Sequence, residues 1–344
     1  MKCWTRSVRR VSLRRVLLLA LLAAVSAPAQ ETSQDTSQDI SQDTIRSQSN
    51  VVTIPSLVKN AKGEAVYGLG AKDFVVEDDG VEQSVRLDEA AEGSAMSLVI
   101  AIQRGRRANY EFPRIRGLGA MVDPMLEAGL GSVAIVEFDS QAELMQDFSS
   151  NSEKTARTLK DLQPGDGGAA ILDAVDYSVK LLEKTPRERQ RVLLLISETR
   201  DHGSHEVKVD DVVAEIGQSS TAVYALAFSP SRSNVLDTMR GNNMAEMHPS
   251  PDLLAPLIMA AEAMKKNTPR TVASMTGGEY ELFATRTNFE ARMIDFTNHL
   301  HSRYLLSIEP KNPRAGLHQI QVRLRDPGDR TVLARTRYWV AAER

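Results

Sequence analysis

Four stretches decide the fold: Ser97–Gln103 (SLVIAIQ), Ser132–Phe138 (SVAIVEF), Arg191–Ser197 (RVLLLIS) and Thr221–Phe228 (TAVYALAF). Each is a near-continuous apolar run of strand length. A strand with one wet face alternates apolar and polar residues, whereas a strand covered on both faces does not. Segments of helical period separate them, near Phe112–Ala128, Glu153–Leu162, Ile171–Glu183 and Val207–Gln218. Buried strands alternating with helices predict an α/β fold with a doubly wound, mostly parallel sheet. Ala142–Phe148 reads as an antiparallel edge strand of that sheet.

On either side the pattern turns to short β-rich runs. Val51–Val58, Asp73–Glu77 and Ser84–Leu87 precede the α/β region, with turns at Asn60-Ala61-Lys62-Gly63 and Asp78-Asp79-Gly80. Tyr304–Glu309, Gly316–Arg325 and Thr331–Val340 follow it, with turns at Asn312-Pro313 and Asp326-Pro327-Gly328. Three short strands do not make an independent sheet. The two sets are natural partners, so we expect a small discontinuous β-domain, residues 51–94 and 304–344, carrying the α/β domain, residues 95–303, as an insert. Within the insert, Asn234–Asp252 reads as a surface insertion whose Met239, Met244 and Met247 suit a contact surface or fill gaps. After it come a helix from about Leu253, a turn at Thr276-Gly277-Gly278, a strand at Glu279–Phe283 and a helix near Phe289–Ser302.

The N-terminus reads differently. Lys2, Arg6, Arg9, Arg10, Arg14 and Arg15 precede the uncharged run Val16–Val25, which ends in Ala27-Pro28-Ala29. This is the pattern of a secretory signal peptide over residues 1–29, too short in its apolar part to span a bilayer. Residues 30–50 repeat SQD with almost nothing apolar to bury and read as a disordered linker. The expected destination is the periplasm, the cell envelope or the exterior, with no transmembrane anchor after cleavage.

The 344 residues carry a formal charge of −3, and loss of the six basic residues in the leader leaves 36 basic against 45 acidic, or −9. An acidic exported chain is a poor binder of nucleic acid, which selects basic patches. The single cysteine, Cys3, lies in the leader. The mature chain therefore has no thiol nucleophile, thiolate metal site or disulfide.

The segments VVTIPSLVKNAKGEAVYGLGAKDFVVEDDGVEQ, AELMQDFS, GDGGAAILDAV, SMTGGEYELF and RYLLSIEPKNPRAGLHQIQVRLRD together resemble the secreted VWFA-related proteins of the acidobacterial type. The resemblance implies a von Willebrand factor A domain, a Rossmann-like sheet whose usual work is adhesion through a divalent ion at the C-terminal strand edge. The family's pattern there is DxSxS after the first strand, a threonine from a GGT loop and an aspartate in SDG.

This sequence departs from that pattern at all three places. The first strand runs into Gln103-Arg104-Gly105-Arg106-Arg107, the loop reads Gly167-Gly168-Ala169, and the third strand ends in Ser197-Glu198-Thr199. Glu198 is left as a hard ligand beside clustered guanidiniums, so the expectation is a degenerate metal-ion-dependent adhesion site with no metal and no other cofactor. Arg104, Arg106 and Arg107 are then either solvated loop residues, or one of them replaces the ion by pairing with Glu198 or offers a fork to a partner's carboxylate. The candidate binding face comprises Gln103, Arg104, Arg106, Arg107, Gly167, Gly168, Glu198 and Asp201.

Other constellations carry less. Asp201-His202-Gly203-Ser204-His205 lacks a metal-binding frame and reads as a loop before a helix, with Ser204 as its N-cap. Gly165-Asp166-Gly167-Gly168 lacks the lysine of a phosphate loop, and no GxSxG elbow occurs. No complete catalytic set is legible. The expectation is a non-catalytic module for protein–protein contact, adhesion-like and of unidentified partner. The alternatives are a hydrolase or metal-dependent enzyme with an unrecognised site, or an envelope scaffold.

Overall fold

The computed structural model describes residues 51–88, 95–127, 131–228, 255–311 and 313–342. The expected leader, the SQD linker and the Asn234–Asp252 insertion lie outside the described residues. The described residues belong to one compact unit.

The four apolar runs become β5 (Met96–Gln103), β6 (Gly131–Phe138), β8 (Gln190–Glu198) and β9 (Ala222–Phe228). With β7 (Ala142–Ser149) and β10 (Tyr280–Phe283) they make a six-stranded sheet of order β10-β9-β8-β5-β6-β7. All neighbours are parallel except the β6–β7 pair. The two faces of β5, β6, β8 and β9 enter separate cores, as both-sided burial requires. Leu98, Ile100 and Ile102 pack beneath α1 (Phe112–Ile115), α2 (Leu118–Glu127) and α8 (Arg286–Leu300). Val99 and Ala101 face α4 (Ile171–Glu183), α5 (Val209–Gln218), α6 (Ala255–Lys266) and α7 (Thr268–Thr276). Helix α3 (Ser152–Lys160) follows the edge strand. This is a von Willebrand factor A-like α/β fold with a mixed, mostly parallel sheet.

Three expected elements are divided. The helix over Phe112–Ala128 breaks at Gly117, whose φ of +99° only glycine adopts readily. The helix from Leu253 becomes α6 and α7, because the Asn267 side chain accepts the Arg270 N–H and starts a new helix there. Thr331–Val340 becomes β13 (Thr331–Ala334) and β14 (Arg337–Val340), in different sheets. Arg335 causes this division. It is 7% exposed, and its guanidinium donates to the carbonyls of Ile216, Gly217 and Ser219 at the end of α5. No carboxylate pairs with it among the described residues. Burial pushes its pKa down to about 10, and the negative end of the helix takes the place of a counter-ion.

The flanking strands are β1 (Val52–Lys59), β2 (Phe74–Asp78), β3 (Val81–Glu82), β4 (Val85–Asp88), β11 (Tyr304–Ile308) and β12 (Gly316–Leu324). They form two four-stranded sheets, β13-β1-β11-β4 and β14-β12-β2-β3, so strands from the two ends of the chain pair with one another. Ile54, Val58, Leu306 and Ile308 of the first sheet share one core with Phe74, Val76, Ile320, Leu324 and Tyr338 of the second. That shared core makes the pair a sandwich.

Glu279 joins the sandwich to the central sheet. Its carboxylate, 10% exposed, lies 3.2 Å from Lys59 Nζ on β1, 3.1 Å from His299 Nδ1 on α8 and 3.5 Å from Arg303 Nη2. Arg303 also donates to the Tyr224 hydroxyl at 2.5 Å and stacks over its ring. Among the described residues no helix is long and apolar enough to cross a membrane.

Candidate functional site

The C-terminal ends of β5, β6 and β8 open onto four loops, where doubly wound sheets bind ligands. Backbone hydrogen bonds lock these loops together. Arg104 N donates to Phe138 O, Gly165 N to Arg104 O, Arg106 N to Asp166 O and Ala170 N to Asp139 O, at 2.7 to 2.9 Å. Ala169 and His202 form a two-way antiparallel bridge. The packing depends on Gly105, since a Cβ there would overlap the Gly168 carbonyl and lie 2.7 Å from Asp139 Cβ. Asp166 closes its own turn by accepting the N–H groups of Ser140 and Gly168. Hydrogen bonds from Ser140 and Gly168 hold its carboxyl below the usual range. Those donors are thereby unavailable to a phosphate.

Glu198 ends β8 almost wholly buried. Its N–H donates to Gln103 Oε1 at 2.8 Å, and Gln103 Nε2 returns a bond to Glu198 Oε1 at 3.1 Å. The same carboxylate oxygen lies 2.7 Å from Arg106 Nε. Arg106 sits at φ +54°, the left-handed region, which costs a side-chain-bearing residue roughly 1 kcal/mol. That backbone turn returns the guanidinium toward Glu198. The contact is through Nε, and the arginine side chain is 36% exposed.

Arg104 behaves differently from Arg106 and pairs with other carboxylates than Glu198. It runs sideways to Asp139 at 2.9 Å, Glu143 at 2.8 Å and Glu137 at 3.6 Å. Burial works to lower its pKa, but the carboxylates of Asp139, Glu143 and Glu137 outweigh it and raise the value. Glu137 is itself pushed up by burial, against the pull of Arg104. Sequence reading missed this cluster although a signal exists. The β6–β7 hairpin sets Glu137 directly opposite Glu143, and like charges across an antiparallel pair demand a cation.

Of the remaining expected residues, Arg107 is exposed, and Gly167 is exposed with open space around it. Gly168 is buried against Ser140. Asp201 is structural: its Oδ1 accepts Leu172 N at 3.0 Å and the Ser204 hydroxyl at 2.5 Å. Ser204 caps α4, through Leu172 N and Asp173 N, and not α5 as its sequence position suggests. Asp173 answers by accepting the N–H groups of His205, Glu206 and Val207. Those bonds occupy the anion-attracting end of α4. Tyr110, 71% exposed three residues past Arg107, was not anticipated and adds an aromatic surface to the rim.

The divalent ion implied by the sequence resemblance does not fit these residues. Mg²⁺ takes about six hard oxygens. Gly105 and Ala169 supply no side-chain oxygen, Gln103 Oε1 accepts from Glu198 N, and Glu198 Oε1 is held by Gln103 Nε2 and Arg106 Nε, which places a cation where the ion would sit.

The profile of the von Willebrand factor type A domain matches residues 116–200. The match spans α2, β6, β7, α3, α4 and β8 and begins beyond the Gln103–Arg107 loop. Among solved structures the chain is similar to BatB from Bacteroides thetaiotaomicron, at 14% identity over 60% of this chain and 99% of that one, with a TM-score of 0.38. It is similar to an aerotolerance-related membrane protein from Bacteroides fragilis, at 16% identity over 59% and 99%, TM-score 0.39. The PilB minor pilin from Streptococcus sanguinis gives 12% identity over 62% and 63%, TM-score 0.41. No curated protein matches the sequence.

Proposed function

We propose that the chain is an exported, non-catalytic protein-binding module of the secreted VWFA-related, acidobacterial type, with the α/β domain of residues 95–303 carried by a discontinuous β-domain. Its contact face is the C-terminal strand edge, and the face works without a metal ion. The observation that carries this reading is the Arg106–Glu198 pair, a tethered cation bonded to the carboxylate that would otherwise help hold an ion. A guanidinium bound through Nε keeps two parallel donors for a carboxylate of the partner. Exposed Arg107 and Tyr110 extend the face, and arginine and tyrosine are the residue types that dominate binding hot spots.

The test uses the mature chain to capture partners from its native envelope, with and without a chelator. Capture should survive chelation. The pair Arg106→Ala and Arg107→Ala should weaken it about 30-fold, the equivalent of roughly 2 kcal/mol. Lys184→Ala with Arg187→Ala, both exposed on the loop before β8, should leave it unchanged. Chelator-sensitive capture, or equal loss from both pairs, refutes the assignment.

A further inference from the structure

The turn after β2 and the start of β12 meet in the second sheet of the sandwich. Asp79 occupies the left-handed region at φ +48°, which aspartate tolerates better than most residues. The antiparallel register that sets Ile320 opposite Asp78 brings His318 over this turn. His318 and Asp78 are 2% and 4% exposed, and one ligand atom from each of Asp78, Asp79 and His318 lies within 4.8 Å of the others.

The three groups are arranged alike. Each anchors one polar atom on the protein and leaves the other facing a shared point. Asp78 Oδ2 accepts from the Tyr338 hydroxyl at 3.0 Å, and Asp79 Oδ1 accepts from Gln319 N at 3.0 Å. His318 Nε2 lies 2.6 Å from the Arg314 carbonyl, which can only accept, so Nε2 carries a hydrogen. The inward atoms are Asp78 Oδ1, Asp79 Oδ2 and His318 Nδ1. Nδ1 is 3.5 Å from Asp78 Oδ1 and 3.0 Å from Asp79 Oδ2, yet Nδ1 and Asp78 Oδ1 are both buried without a hydrogen-bond partner.

From this geometry we propose that Asp78, Asp79 and His318 bind one borderline divalent transition ion, of the zinc class. A tetrahedral ion with bonds of about 2.0 Å spaces its ligand atoms about 3.3 Å apart, close to the 3.5 and 3.0 Å that separate Nδ1 from the two carboxylate oxygens. An imidazole whose far nitrogen donates to a carbonyl is the usual way a protein orients the other nitrogen toward a metal. One nitrogen with two carboxylates selects zinc-like ions over Mg²⁺ and Ca²⁺, which favour all-oxygen shells. Asp79 is the open side, with its side chain 29% exposed, so water completes the shell there. The Arg314 guanidinium, 3.4 Å from Asp79 Oδ2 and 57% exposed, swings outward. The ion displaces a proton. Without the ion, burial works against the imidazolium, but the carboxylates of Asp78 and Asp79 and the Arg314 carbonyl push its pKa up to about 10. Once bound, the ion clips the N-terminal strand β2 to the C-terminal strand β12, away from the contact face.

The test is titration of the full mature chain with Zn²⁺ and Co²⁺ at pH 8. One Co²⁺ per chain, with the visible absorption of a four-coordinate ion, is expected. Asp79→Asn, at a turn where asparagine is tolerated, should weaken binding more than 10-fold while leaving the far-ultraviolet spectrum unchanged. His318→Gln should abolish binding, and Glu198→Ala should not alter it. Zn²⁺ should raise the melting temperature of the natural chain and not that of Asp79→Asn. A natural chain that binds neither ion, or binding that persists through Asp79→Asn, overturns the proposal. The cluster is then an imidazolium held between two carboxylates.

Discussion

Replacing Glu279 by glutamine removes a charge from the joint between the sandwich and the central sheet. The carboxylate is 10% exposed, and its neighbours Lys59, His299 and Arg303 have side chains 19%, 9% and 9% exposed. The variant leaves two cations and an imidazole in a poorly solvated site without their anion. Breaking one partner out of a buried ion pair costs roughly 3 to 5 kcal/mol, because the remaining charge stays desolvated. Glutamine keeps the volume and one acceptor oxygen, so the lower end, about 3 kcal/mol, is expected. Burial opposes ionisation of Glu279, but the His299 hydrogen bond and the charges of Arg303 and Lys59 outweigh it and lower its pKa. Glu281, on the same strand, adds a like charge. A carboxylate depressed on folding stabilises fully above its unfolded value, 4.5, and loses that contribution as pH falls below 4.5 and through the lowered folded value. Urea unfolding at pH 7 and pH 4, followed by circular dichroism, measures both effects. The variant should be less stable at pH 7 and closer to the natural chain at pH 4. A loss below about 1 kcal/mol at pH 7, or a gap that widens in acid, refutes the reasoning.

Gly105→Ala should destabilise by about 2 kcal/mol or more in the same urea assay. Its Cβ would meet the Gly168 carbonyl and Asp139 Cβ, which are backbone and near-backbone atoms that cannot swing aside. Arg335→Met should cost roughly 2 to 3 kcal/mol, since it strips hydrogen bonds from the Ile216, Gly217 and Ser219 carbonyls while keeping most of the buried stem. A neutral effect would mean that water reaches the end of α5.

What could be read from the sequence follows the range of the forces involved. β5, β6, β8 and β9 were legible because burial on both faces leaves a near-continuous apolar run with no polar alternation, and α4 appears over the expected residues, Ile171–Glu183. The split of the tail at Arg335 was not legible. It depends on helix-end carbonyls 116 to 119 positions away in sequence, which no local pattern encodes. The same holds for Asp78-Asp79, which the sequence marks only as a turn. Its relation to His318 exists only once β2 and β12 take their register. At the strand edge the sequence showed three arginines and one glutamate without saying which would pair. Glu137 and Glu143 decide for Arg104, and the left-handed backbone at Arg106 decides for Glu198.

A divalent ion at a strand edge dissociates, so a face built on it depends on the ion's concentration. Arg106 is covalently held, so the contact face proposed above needs no ion to be bound. A guanidinium also differs from an ion in what it can recognise. It forms two directional hydrogen bonds in one plane rather than a shell of six, so it selects a carboxylate by orientation as well as by charge. Fixing that plane is the work of Glu198, whose position is set in turn by the reciprocal bonds with Gln103. The left-handed strain at Arg106 is offset by this anchoring, because a conformation costing roughly 1 kcal/mol persists only where the surroundings over-determine it. Gln103 thus reaches Arg106 through Glu198, so the strand-end glutamine and the arginine that follows it belong to one bonded arrangement.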